Sequence, residues 1–365
     1  MFNKLLAKKT QHLIGLDIGT RYVKAILLEQ HKQHITLLAI ACESINGHAF
    51  ADREIKDYEA LSQALKKVKL SLKSKAKQVA IAVSGQAVIN KLAYMDDDLT
   101  DIELESQIEI EADSLIPYPL EEIYLDFERL GPSASYPNKV EVLLSAVHKD
   151  IIDSRLTLLN EVGFETKIAD VEVYALANAV MRFTATSESI NDNSGPLVDK
   201  VVQCCINIGA SQLQFCAVSD GKVLYTKEHN FGLDVLTQDS CSNFNLTRIQ
   251  YEQQLTTNSL PESWHRDCYM LFQANLQQHV TRAIQMYVSS THQPSPQQLL
   301  ICGAVGPFQN LARELNQELN IEVQIFNPLL GMQSDDKNAE LITSQGANFA
   351  IAVGLALRGF APCHI

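Results

Sequence analysis

The sequence predicts an α/β protein of two lobes, built on a duplicated unit and interrupted by a small inserted β-α-β-β-α-β subdomain. Three observations predict it. The apolar strand ending in Gly15-Leu16-Asp17-Ile18-Gly19-Thr20 turns straight into a second strand, Arg21 to Leu28. The same order of apolar strand, amide or acid, apolar residue, glycine, small residue and hydroxyl returns at Cys204-Cys205-Ile206-Asn207-Ile208-Gly209-Ala210-Ser211. Between the copies, from Ala87 to about Lys167, the chain becomes acidic and carries its own start and stop signals. Two similar units so far apart imply a ligand held between lobes.

Composition sets the bounds. A chain of 365 residues with 46% hydrophobic content buries large cores and holds two or three domains. A formal charge of -13 opposes general nucleic-acid binding, which needs a basic face to displace counterions. The eight cysteines form no Cys-x-x-Cys pair, and several fall inside apolar strands, as reduced core residues of a cytoplasmic protein do. No uninterrupted apolar run approaches the roughly 20 residues of a bilayer span, and the N-terminus lacks a signal-peptide hydrophobic region.

In chain order, Met1 to Thr10 sets Phe2, Leu5 and Leu6 beside Lys4, Lys8 and Lys9, and reads as a solvated basic tail, with a short membrane-surface turn as the alternative. In the first hairpin Gly19 lets the backbone bend close to a ligand, so that amides around Gly19 and Thr20 can donate to phosphate oxygens. Thr20 adds a hydroxyl and Lys24 a cation. Asp17 stands where it can hold a hydrated magnesium ion, which accepts one or two carboxylates and keeps most of its waters. Tyr58 to Leu72 has helical spacing at Leu61, Leu65, Val68 and Leu72, and the lysines from Lys66 to Lys77 read as its solvated face and following turn. Val79 to Val83 is a buried strand closed by Ser84-Gly85.

The inserted region opens with a strand from Val88. Thr100 and Glu103 have capping-box spacing ahead of a helix with Leu104, Ile108, Ala112 and Leu115 on one face, and Pro117 and Pro119 end it. The acids from Asp96 to Asp113 form its outer face. Strands Ile123 to Leu130 and Lys139 to His148 follow, then a helix capped by Asp150 and stopped by Gly163. Phe183 to Lys200 is a linker rich in Ser, Thr and Asn. In the second lobe Leu213 and Phe215 alternate with glutamines, and Ser219-Asp220-Gly221 turns into Val223-Leu224-Tyr225. Gln238 to about Ser290 is a polar, partly helical accessory region. Leu299 to Gly306 is a strand with a glycine-containing turn, and Phe308 to Leu319 a helix.

The paired hairpins resemble those of the actin-like ATPase superfamily, which implies a two-lobed actin-like (ribonuclease H-like) ATPase fold. Ile108-Glu109-Ile110-Glu111-Ala112-Asp113-Ser114-Leu115-Ile116-Pro117-Tyr118-Pro119-Leu120, with Leu125-Asp126-Phe127-Glu128 and Leu130-Gly131-Pro132, is similar to the inserted subdomain of the PilM family, the cytoplasmic actin-like components of the type IV pilus assembly platform. Asp170 to Leu176 and Ala350 to Arg358 are also similar to that family's segments. The first hairpin resembles that of FtsA-like division proteins as well, but those usually end in an amphipathic membrane helix, whereas this sequence stops at Ile365. The divisions expected are 1–86, first lobe; 87–167, inserted subdomain; 168–198, first-lobe helix and linker; 199–237 and 291–340, second lobe; 238–290, accessory subdomain; and 341–365, a C-terminal helix returning to the first lobe.

The resemblance implies ATP with Mg2+ as cofactors. Asp17 and Asn207 would attend the metal, and Gly19, Thr20, Arg21, Tyr22 and Lys24 would line the phosphates from one lobe. Gly209, Ala210 and Ser211 would close from the other, and Gly303, Ala304 and Gly306 would border the nucleoside. The family usually has aspartate where this chain has Asn207, and an amide neither balances a cation nor takes a proton. No catalytic residue is assigned, and hydrolysis is expected to be weak or absent. The partners implied are the N-terminal cytoplasmic tail of PilN, in a groove between first lobe and inserted subdomain, and the pilus motor ATPases. Membrane association would run through partners, at the cytoplasmic face of the inner membrane. The alternatives are an active ATPase or small-molecule kinase of the same fold and, as self-association, an FtsA-like filament.

Overall fold

In the computed structural model, which describes residues 12–32, 34–51, 54–133, 135–184 and 201–360, the first lobe grows outward from β1 (Ile14–Ile18). Every residue of β1 is buried, because both faces of the strand are covered. It pairs antiparallel with β2 (Tyr22–His31), Asp17 opposite Lys24, and β2 pairs with β3 (His34–Ser44). A short hairpin of β4 (Phe50–Ala51) and β5 (Glu54–Ile55) leads to α1 (Tyr58–Ser71), whose first turn is capped by the Asp57 side chain accepting from the Ala60 amide. β6 (Gln78–Val83) then runs parallel to β1 on its other side.

The inserted unit follows as β7 (Val88–Asp96), α2 (Asp101–Leu115), β8 (Ile123–Pro132) and β9 (Lys139–His148), with strand order β7-β9-β8. Both reciprocal bonds of the Thr100–Glu103 capping box are present. Leu104 and Ile108 of α2 pack on Ala93, Val142 and Leu144 of the sheet. The next two elements, α3 (Lys149–Val162) and β10 (Glu165–Val171), were expected to complete this subdomain, and the structure assigns them to the first lobe instead. β10 pairs parallel with β6, and Leu158, Leu159 and Val162 of α3 join the core beneath α1. Asp150 is not the cap of α3 either: His148 occupies that position and Asp150 lies in the first turn, where its charge still favours the helix dipole. Gly163, at φ +84, ends the helix as expected.

After α4 (Glu172–Thr184) the second lobe repeats the first strand for strand. β11 (Gln203–Ile208), β12 (Leu213–Ser219) and β13 (Lys222–His229) form the antiparallel meander. α5 (Leu233–Phe244), α6 (Arg248–Thr256) and α7 (Met270–Thr291) come next. β14 (Gln298–Gly303), α8 (Leu311–Leu319) and β15 (Glu322–Ile325) complete a sheet of order β13-β12-β11-β14-β15, the counterpart of β3-β2-β1-β6-β10. The chain closes with α9 (Ala339–Gln345) and α10 (Ala350–Leu357).

Helices α4 and α10 lie between the two sheets, and the largest apolar cluster runs through both helices and one face of each sheet. That arrangement needs close backbone approach. A Cβ on Gly15 would stand 1.9 Å from the Ala352 carbonyl oxygen, and one on Gly354 would stand 1.7 Å from that of Ala175. The helical stretch Asp336–Leu357 is apolar and long enough to cross a membrane by length and composition alone, and most of its apolar part is buried inside the fold. The basic N-terminal stretch, most of the linker and Cys363 lie outside the described residues.

Candidate functional site

The two hairpin turns are closed by the same bond. The Gly19 amide donates to Tyr22 O at 3.0 Å in one lobe, and the Gly209 amide to Gln212 O at 2.9 Å in the other. Neither glycine has a positive φ, but a Cβ on Gly209 would sit 2.9 Å from Gln212 O, so the tightness of that turn excludes a side chain. The tips meet across a cleft of about 2110 Å³, where Thr20 Oγ1 donates to Ser211 Oγ at 3.4 Å. The amides of Thr20, Arg21, Ala210 and Ser211 have no backbone partner among the described residues. Such a ring of unspent N–H groups and hydroxyls is a phosphate-type donor set.

Every residue expected at the site lines this one cleft. Asp17, at the end of β1, is buried and paired with the Lys24 ammonium at 2.6 Å, as their register across the hairpin requires. Burial disfavours the Lys24 charge, and the adjacent Asp17 carboxylate more than offsets this, so its pKa lies above the usual lysine value. Lys24 Nζ also reaches Asn348 Oδ1 at 3.4 Å. Burial pushes the nearby Cys42 thiol up to about 11, with the Lys24 ammonium acting in the opposite direction, so it stays a thiol at neutral pH.

Asn207, expected to share a magnesium ion with Asp17, has both amide atoms engaged inside the second lobe. Its Nδ2 donates to Gln214 Oε1 at 2.8 Å, and its Oδ1 accepts from the Cys302 thiol at 3.7 Å. Arg21 and Tyr22, expected at the phosphates, reach across the cleft instead. Arg21 Nε donates to Asp234 Oδ1 at 2.8 Å and the Tyr22 hydroxyl to Glu252 Oε2 at 2.9 Å. Burial, and then the Glu252 charge and hydrogen bond, raise the Tyr22 pKa, so the phenol remains the donor.

The turn expected at the nucleoside divides its residues between the cleft and the fold. Ala304 and Gly306 line the cleft, whereas Val305 is buried in the core and crowds nothing bound there. Gly303, at φ +94, packs on β11, where a Cβ would meet Ile208 O at 2.3 Å; Gly306 packs against Ser344 O in the same way. Trp264, Tyr269 and Phe308 add an aromatic wall, with Tyr269 and Phe308 stacked at 5.7 Å.

Two carboxylates, Glu172 in the cleft lining and Glu228 next to it, carried no local sequence signal. Glu172 opens α4, and its Oε2 accepts from Gln214 Nε2 at 2.5 Å. Burial, then the Asp17 and Glu228 charges, push its carboxyl up to about 8, with Gln214 and Lys24 pulling the other way. Glu228, on β13, ties the lobes together: it accepts from Ser84 Oγ at 2.9 Å and from the Gly85 and Gln86 amides at 3.0 and 3.1 Å. A basic residue three to five positions past the second hairpin's turn would have marked a copy of Lys24; the chain has Gln214 there, which links Asn207 to Glu172.

A family model described as type IV pilus assembly protein PilM matches residues 15–360. Among solved structures, the chain is similar to one described as a PilM-PilN type IV pilus biogenesis complex, at 23% identity over 97% of this chain and 100% of that one, with a TM-score of 0.79. It is also similar to ethanolamine utilization protein EutJ from Carboxydothermus hydrogenoformans, at 14% identity over 95% of this chain and 89% of that one, TM-score 0.52. The diol dehydratase-reactivating factor in nucleotide-free form matches at 8% identity over 95% and 99%, TM-score 0.52. These likenesses show the two-lobed actin-like ATPase fold.

Proposed function

Because the chain belongs to the PilM family of type IV pilus assembly proteins, we propose that it is an actin-like scaffold of the pilus assembly platform, binding ATP with magnesium between its lobes and the PilN cytoplasmic tail beside its inserted subdomain. The observation that carries the nucleotide reading is the meeting of the two hairpin tips, with hydroxyls 3.4 Å apart and unspent amides on both sides. Phosphate oxygens entering there take up those donors, with Lys24 beneath them.

The floor of the cleft sets a condition on that binding. Asp17 already pairs with Lys24 at 2.6 Å, so an incoming phosphate competes with that carboxylate for the ammonium unless a divalent cation accompanies it. Among the described residues no three His, Cys, Asp or Glu groups converge as a preformed metal site. Magnesium fits Asp17 as its one protein carboxylate, and supplies the charge that neutralises the phosphates. Asn207, held by Gln214 and Cys302, orients the amide network and does not balance that charge. Glu172, largely protonated at neutral pH, offers a donor where hydrolysis needs a base, which supports slow turnover.

The inserted sheet leaves one face open. Leu92 and Tyr94 of β7 are 46% and 38% exposed, and Leu143 of β9 joins Leu92 to Glu128 of β8 in register. Asp126 and Glu128 act electrostatically on Asp170 and Glu128 on Tyr174, so this face borders the first lobe and is acidic. An extended tail carrying basic residues suits this face, with alternate side chains lying over Leu92 and Leu143. A link to the motor ATPases, and a place at the cytoplasmic face of the inner membrane, belong to the same reading.

Calorimetric titration with a synthetic PilN tail peptide, with and without ATP and magnesium, tests it alongside phosphate release. The expected result is peptide binding without appreciable turnover, and nucleotide binding that is lost with chelator or with Asp17→Asn. No peptide binding, together with phosphate release stimulated by a small molecule, makes the protein an enzyme and ends the scaffold reading.

A further inference from the structure

The second half of α1 and the turn after it hold six of the chain's 30 Lys and Arg residues, Lys66, Lys67, Lys69, Lys73, Lys75 and Lys77, and no Asp or Glu. Helical spacing turns Leu61, Leu65 and Val68 into the core and leaves Lys66, Lys67 and Leu70 on the outward ridge. Lys69 has a structural use: its ammonium donates to Val162 O and Gly163 O at 2.8 and 2.9 Å, closing the end of α3. The other five ammonium groups are exposed and have no hydrogen-bond or ion-pair partner among the described residues. Among them Leu70 is 77% exposed. The carboxylate bonded to this stretch is Glu43, which accepts from Ser71 Oγ at 2.6 Å.

A merely solvated helix face gains from acids at neighbouring turns, and this stretch has none. Five unneutralised lysines around an exposed leucine form an amphipathic surface of the opposite sign to the rest of a chain whose charge is -13. We propose that this ridge docks on an anionic lipid bilayer, its lysines lying at headgroup phosphates and Leu70 entering the boundary between headgroups and acyl chains. Lysines suit that occupant. They are point charges on flexible stems, exposed along the helix and the turn after it, and match a fluid array of phosphates better than the fixed carboxylates of a folded partner, for which forked arginines are the fit. The net negative charge elsewhere repels the same surface, so the ridge also fixes which side of the protein faces it.

The site shares no residue with the cleft lining that would meet phosphates or with the open face of the inserted sheet, and vesicles carry neither ATP nor a PilN tail. Flotation of the full chain with phosphatidylglycerol-containing vesicles, against pure phosphatidylcholine vesicles, therefore tests it alone. The expected result is binding to the anionic vesicles only, released by salt, and weakened about tenfold or more by Lys66→Gln/Lys67→Gln, since each lysine near such a surface contributes about fivefold. Leu70→Ser should weaken it as well, with unchanged melting of all variants and unchanged titration of the tail peptide. Failure of the wild type to float, or equal flotation of wild type and variants, overturns the proposal. So does sedimentation velocity showing larger species of the chain alone that vanish in Lys66→Gln/Lys67→Gln, which would assign the ridge to an acidic face of a second copy.

Discussion

Glu172 faces two carboxylates, Asp17 and Glu228, and one ammonium, Lys24, and its burial adds to the carboxylates' effect. Its ordinary pKa of 4.5 applies to the unfolded chain, and the folded value is about 8. Between these the folded chain holds a proton that the unfolded chain lacks. The contribution is fully present below about 4.5 and is lost as pH rises through about 8. Glu172→Gln keeps an acceptor for Gln214 and cannot titrate. Melting of the variant should vary less across that window, and at its upper end exceed the wild type by on the order of 1–3 kcal/mol. Parallel melting profiles for the two proteins would falsify the assignment. The contrast with Asp17 and Lys24 shows what a sequence displays at this scale. Those two residues face each other because a short turn fixes the register of adjacent strands. Glu172 meets Gln214, and Glu228 meets Ser84, only after distant segments pack, so spacing carries no trace of either pair.

Helix α10 illustrates what is legible at the scale of elements. Ala350 to Leu357 reads as apolar all round, which in a helix means burial on every side. Its seat between sheets is then decided by two glycines. Gly15→Ala would put a methyl 1.9 Å from the Ala352 carbonyl, where no flexible side chain can give way. We expect a loss of about 3 kcal/mol or more in denaturant unfolding. Gly47→Ala is the control: its φ of +74 makes alanine strained, but nothing lies within 4 Å, so about 1 kcal/mol should be lost. Equal losses at the two positions would show that α10 relaxes away from β1. The insertion's boundary was less legible than its elements, because α3 and β10 continue its alternation of strands and helices. Their membership is decided by partners, β6 for the strand and α1 for the helix, and the helix-capping spacing that located Thr100 and Gly163 says nothing about partners.

For the whole molecule the open question is what holds the lobes at their present angle. The duplication was readable because both hairpins repeat one order of residues, but apart from Thr20 and Ser211 at the tips the side and base contacts between the lobes come from residues outside that repeat. On one side of the cleft Arg21 reaches Asp234, Tyr22 reaches Glu252, and an Arg248 guanidinium nitrogen donates to Ile45 O at 3.0 Å. At the base Glu228 holds the turn at Ser84, Gly85 and Gln86. Partly buried contacts of this kind contribute about 1–2 kcal/mol each, so the three side latches favour the present lobe angle by roughly 3–6 kcal/mol. Losing one leaves that angle in excess, which is why single substitutions should barely change the radius of gyration in small-angle scattering. Arg21→Ala with Tyr22→Phe and Arg248→Ala removes all three and should enlarge it, since a few kcal/mol is the whole gap between two lobe angles. Arg248 lies 3.7 Å from Glu252, so the effects of Tyr22→Phe and Arg248→Ala should not simply add. An ATP-dependent return of the triple variant to the wild-type radius would show nucleotide acting on the same equilibrium as the latches. A triple variant indistinguishable from wild type without nucleotide would leave Glu228 and the buried α4–α10 layer as the determinants of the angle, and the two lobes as one rigid body.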